Sequence, residues 1–166
     1  MEIIRQVKYA KREKDCPYIL SVVLKQRYKH IPTLGCSVNG DIVMKKLTTG
    51  LKKHEMKPNL IYTSSKEIRD SIDKKKLKLI LQYLVENKKD GFFILQHNND
   101  NETRHLVGFL YNDMHKTLDF FDSYETDILS TLQMNKKKIA SFIKDLFHKY
   151  FKDEFLIQNV YEFNQI

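Results

Sequence analysis

The chain has 166 residues, a formal net charge of +8, 42% hydrophobic and 30% charged residues, which suits one domain with a substantial core and excludes a disordered chain. No apolar run approaches the roughly 18 residues of a membrane span, and the opening MEIIRQVKYAKREKD lacks the apolar stretch of a cleaved signal. Two cysteines, Cys16 and Cys36, are too few for a disulfide framework or a four-thiolate zinc site.

These features lead us to expect no membrane span. The expected location is cytoplasmic, or inside a host cell reached as an effector by a signal-peptide-independent route. The charge is uneven: residues 1–90 carry 21 Lys/Arg against 10 Asp/Glu, and residues 91–166 carry 8 against 11. A basic half is suited to a polyanion or an acidic partner. Of the 29 basic residues 24 are lysines, as on a solvated surface, and no recognition motif accompanies them. Nucleic acid through the basic N-terminal half is therefore kept as a secondary expectation.

The first element is predicted at CPYILSVVLKQRY, near residues 16–28, where Ile19, Leu20, Val23 and Leu24 have helical spacing. Asp15 is suited to the N-cap and Pro17 to the first turn. HIPTLGCSVNGD reads as a loop. A short amphipathic segment follows at Ile42–Leu51, and one or two helices at 66–87 close at Asp90-Gly91. GFFILQH, RHLVGFLY and KTLDFFD are short, rich in β-formers and separated by polar turns, the pattern of strands. NKKKIASFIKDLFHKYF returns to helical spacing, and 155–163 reads as a last strand. The order predicts a single α+β domain over 1–166, with a hairpin at 103–122 and a C-terminal helix and strand at 127–163.

Chemistry gathers at the hairpin. With Tyr111 opposite Lys116 across an Asn-Asp-Met-His loop, paired residues sum to 227 and His105 faces Asp122. A carboxylate there accepts the ring N–H, fixes the tautomer and stabilises the imidazolium. Cys16 is the candidate nucleophile: it opens a helix, whose positive end favours the thiolate. Cys, His and Asp in these settings suit nucleophilic catalysis on an acyl group. Each has an ordinary reading too. Cys16 can be a core thiol, and the His105–Asp122 pair can be a cross-strand contact worth at most about 1 kcal/mol. Cys36 is the fallback nucleophile. His97, His105 and His115 match no metal-ligand spacing, and no phosphate loop, GxSxG elbow, HExxH or dinucleotide fingerprint occurs. No metal and no cofactor are expected.

KDCPYILSVVLKQRY resembles the nucleophile helix of the papain-like cysteine peptidases. It is most similar to the bacteriocin-processing type that acts on double-glycine leaders, where Asp-Cys-Gly opens a helix near the N-terminus. GFFILQ, RHLVGFLY and KTLDFFDS are similar to that family's closing series of strand, His-strand and strand-Asp. The resemblance covers roughly residues 5–125. It implies a papain-like core, N-terminal helices packed on a small antiparallel sheet, with Cys16 as nucleophile, His105 as base and acid, and Asp122 as orienting residue. Pro17 stands where the family has glycine, and Ser123 where it often has proline. Ala10 stands where it has the glutamine of the oxyanion hole, which leaves Gln6 as the candidate donor.

RHLVGFLYNDMHKTLDFFDS is similar also to the His-to-Asp block of the ubiquitin-like-protein and adenovirus-type proteases. Those place a glutamine and then the cysteine after the aspartate. Gln165 lies near the position of that glutamine, and no cysteine follows it within these residues, so this reading implies a C-terminally truncated enzyme. The leading expectation is a cysteine peptidase or related thiol amidohydrolase that cleaves or deamidates a protein or peptide amide through an acyl-enzyme. The alternative is a non-catalytic papain-like module whose basic face holds a partner.

Overall fold

The structure is a computed structural model that describes residues 16–35, 39–64, 71–97, 104–122, 131–134 and 155–166. In chain order these form α1 (Cys16–Lys25), α2 (Gly40–Lys52), β1 (Met56–Thr63), α3 (Ser71–Glu86), β2 (Gly91–His97), β3 (Arg104–Asn112), β4 (Thr117–Asp122), β5 (Thr131–Met134) and β6 (Phe155–Gln165). The strands make one antiparallel sheet in the order β1-β6-β2-β3-β4-β5. Helices packed on an antiparallel sheet make this an α+β domain, as expected.

Periodicity decides which helix covers which face. Leu77, Leu81, Leu84 and Val85 form one stripe of α3 and pack on Phe93, Leu95, Val107, Phe109, Leu118, Phe120 and Val160. Leu20, Val23 and Leu24 of α1 and Val43, Leu47 and Leu51 of α2 pack on Phe92, Leu106, Leu110, Phe121 and Phe163. Adjacent strand residues thus enter different clusters, and the sheet is the middle of three layers. Asn39 starts α2 by accepting the Asp41 N–H at 2.7 Å. On α2, Gly50 faces the turn after α1: a Cβ there would stand 2.8 Å from the Ile31 Cα and 2.9 Å from the His30 carbonyl oxygen.

Helix α1 ends at Lys25 rather than near 28. Gln26 and Arg27 turn back on the carbonyls of Val23 and Leu24, which frees the next side chains to reach Asp90. That carboxylate, 7% exposed, accepts Arg27 Nη1 and the Tyr111 N–H at 2.7 Å each and the Tyr28 hydroxyl at 2.5 Å. Burial, followed by the charge and hydrogen bond of Asp90, raises the Tyr28 phenol well above its ordinary value, so it stays a donor. Asp90 thereby ties α1 to both β2 and β3. Asp90→Ala would strand two buried donors, and we expect a loss of about 2–4 kcal/mol in urea unfolding. A change under about 0.5 kcal/mol would show that water replaces the carboxylate.

Two strands stand outside the expectations. β1 carries Pro58 and Asn59 in a weakly alternating MKPNLIYT; among the described residues it is an edge strand paired only with β6, where proline is tolerated. β5 occupies 131–134, in a span read as leading into the C-terminal helix, and extends the sheet beyond β4. The last strand is longer than 155–163 and lies inside the sheet, between β1 and β2. The Asp15 cap, residues 66–70 of the predicted helical stretch and the helix over 135–151 lie outside the described residues.

Candidate functional site

The hairpin forms one residue later than predicted. Asn112 pairs with Thr117 and Tyr111 with Leu118, so paired residues sum to 229 and the loop is Asp113–Lys116. Asn112 explains the slip: its Oδ1 accepts the His115 N–H at 3.2 Å, an Asx-type closure, and Lys116 ends the loop at φ 55. Asp122 is therefore opposite Val107, and His105 is opposite Leu95 of β2. The direct pairing of His105 with Asp122 is corrected to a diagonal one. The sum changed by an even number, so strand alternation keeps positions 105 and 122 in one face series. Diagonal neighbours have Cβ atoms about 7–8 Å apart.

The run of α1 over the sheet follows from its contacts. A Cβ on Gly108 would stand 3.0 Å from Leu20 Cδ1, so glycine lets the helix lie close on β3. At the other end Tyr28 and Tyr111 meet at Asp90. The helix thus points its start, at Cys16, towards the end of the sheet where β3 begins and β4 finishes. Backbone positions 16, 105 and 122 thus lie at the same end of the sheet. They do not share a face: positions 105 and 122 fall in the series of Val107, Phe109, Leu118 and Phe120, which faces α3, while α1 covers Leu106, Leu110 and Phe121. The side chains of Cys16, His105 and Asp122, and Gln6 and Cys36 entirely, lie outside the described residues.

No acidic residue occupies the first turn of α1, so the positive end of its dipole is not offset from within the helix. Ser21, fully buried, donates to the Tyr18 carbonyl at 2.7 Å and accepts the Leu34 N–H at 3.0 Å. It pins the segment leading towards Cys36 against α1.

The buried carboxylates among the described residues, Asp90, Asp119 and Glu162, stand at the opposite end of the sheet, opposite or beside Gly91 and Leu110. Burial raises the Asp119 carboxyl, and hydrogen bonds from Asn112 and Thr117 partly offset the shift. Glu162 Oε1 accepts from the Tyr83 hydroxyl at 3.0 Å, Asn164 Nδ2 at 3.2 Å and Asn59 Nδ2 at 3.4 Å, while Oε2 is buried with no hydrogen-bond partner among the described residues. Sequence reading missed these carboxylates because tertiary pairing places them: Glu162 stands opposite Gly91 of β2, and Asp90 meets Arg27 and Tyr28 from more than 60 residues away. It also missed His30 and His54, which are 24 residues apart and meet at a ring distance of 5.0 Å.

Among the described residues no group of three or more His, Cys, Asp or Glu is arranged to hold a metal ion, and no helix is long and apolar enough to cross a membrane. No family model, curated protein or solved structure matches the chain.

Proposed function

We propose that the chain is a papain-like thiol hydrolase acting on protein or peptide amides. Cys16 is the nucleophile, His105 the general base and acid, and Asp122 the residue that orients the imidazole. The observation that supports this reading is that the start of α1, the start of β3 and the end of β4 lie at the same end of the sheet, with α1 on the opposite face from positions 105 and 122. The thiolate adds to the carbonyl carbon, and the imidazolium gives its proton to the departing amine. Water, deprotonated by the same imidazole, then hydrolyses the thioester and restores the thiol. The Cys16 N–H, with Gln6 as second donor, would hold the oxyanion. Deamidation and acyl transfer share the thioester, so one site serves all three outcomes.

Acid-quenched reaction with an activated peptide ester tests this. The expected product is a peptide thioester on Cys16, absent in Cys16→Ala and strongly reduced in His105→Ala. Acylation equally fast in both variants would contradict the assignment.

The opposed faces favour a second reading. In the order of the ubiquitin-like-protein and adenovirus-type proteases, His105 and Asp122 serve a cysteine that follows the aspartate, beyond Ile166. Under that reading Cys16 stays unlabelled, and a chain extended beyond Ile166 acquires the adduct on a later cysteine.

A further inference from the structure

Described residues 16–57 carry eight Lys/Arg against two acidic residues, Asp41 and Glu55. Of the eight, Arg27 alone forms an ion pair among the described residues. The others are not spread evenly. Gly50 brings the His30–Ile31 backbone against α2, and Lys46 of α2 and Lys53, the residue that caps its C-terminus, follow the flank that Gly50 turns towards that backbone. The His30 N–H donates to His54 Nε2 at 3.2 Å, the two rings lie 5.0 Å apart, and the Tyr28 ring meets His54 edge-on at 5.7 Å. Lysines from two segments therefore flank a pair of imidazoles.

We infer that this junction of α1 and α2, built from Lys29, His30, Lys46, Lys53 and His54, binds the phosphate backbone of a single-stranded nucleic acid. Cationic side chains that have no carboxylate partner among the described residues supply the counterion release that drives such binding. The histidine rings between them offer π faces on which bases stack. An acidic peptide would satisfy the charge and leave the rings unused, which is why a nucleic acid is the favoured partner.

The junction also couples binding to protons. His30 holds its proton less readily than an ordinary histidine, first through desolvation and then through the positive charges of His54, Lys29 and Lys53. Those are the groups facing it from its own segment and from the end of α2. A phosphate placed among them relieves the repulsion and favours the imidazolium, so affinity rises as pH falls through the histidine range.

The test is fluorescence anisotropy with a labelled single-stranded DNA of about 20 nucleotides, longer than one binding site. Lys29→Gln with Lys53→Gln should weaken binding at least about tenfold and flatten the salt dependence by about 0.7 log units for each phosphate left unneutralised. His30→Gln with His54→Gln should remove the pH dependence. Lys75→Gln, Lys76→Gln and Lys78→Gln, on the exposed side of α3, should change affinity less than about twofold. Equal losses from the α3 variant would overturn the proposal. So would absence of binding, or displacement of the DNA by polyglutamate at equal charge concentration, which would assign the face to an acidic protein.

Discussion

Gly91→Ala is expected to abolish folding or to cost more than about 4 kcal/mol, well above an ordinary substitution. A Cβ at this position would stand 1.9 Å from the Tyr161 carbonyl oxygen and 2.8 Å from Phe109 Cζ. The first obstacle is backbone of the neighbouring strand, which cannot rotate away, so β2 and β6 must separate where β2 begins, opposite Glu162. Gly40→Ala is the control: nothing lies within 4 Å of its Cβ, and at the first residue of α2 the change should be under about 1 kcal/mol, the difference between the two in a helix interior. Urea unfolding of both variants checks the pair. A Gly91→Ala protein within about 1 kcal/mol of wild type would mean that β2 and β6 pair differently from the register described.

The second large effect concerns chemistry. Cys16→Ala and His105→Ala are each expected to lower turnover of a peptide amide by at least about 10³-fold, as removal of one member of an interdependent triad does. Asp122→Asn should act in the same direction by leaving the imidazole in the wrong tautomer. Positions 105 and 122 lie near strand ends, so these variants should unfold close to the wild-type urea midpoint while losing activity. Loss of activity in Cys36→Ser with retention in Cys16→Ser would move the nucleophile to Cys36.

The strands around the hairpin are legible because GFFILQH, RHLVGFLY and TLDFFD combine β-formers with short length between polar turns, and both faces are buried. The loop falls one residue away from its expected place because Asn112, which reads as the first loop residue, ends β3 and closes the turn with its side chain. β1 is not legible: its pattern is polar and includes Pro58, and its place depends on β6, about a hundred residues later. Positions 105 and 122 are legible as members of neighbouring strands, whereas their register is not. Nor is the face that α1 covers, because Leu20 and Gly108 are brought together only by tertiary packing. Composition likewise shows a basic half without the His30–His54 contact that organises part of it.

A thiolate at Cys16 sustained by His105 would show in the pH dependence of iodoacetamide alkylation, assigned by mass spectrometry to Cys16 and Cys36 separately. Cys16 should be alkylated rapidly well below the ordinary thiol pKa of about 8.5, and His105→Ala should abolish this, with Cys36 slower and insensitive to that substitution. A Cys16 that is inert, or that titrates like a free thiol in both proteins, would contradict this assignment and leave a cysteine beyond Ile166 or a non-catalytic module as the reading of this fold.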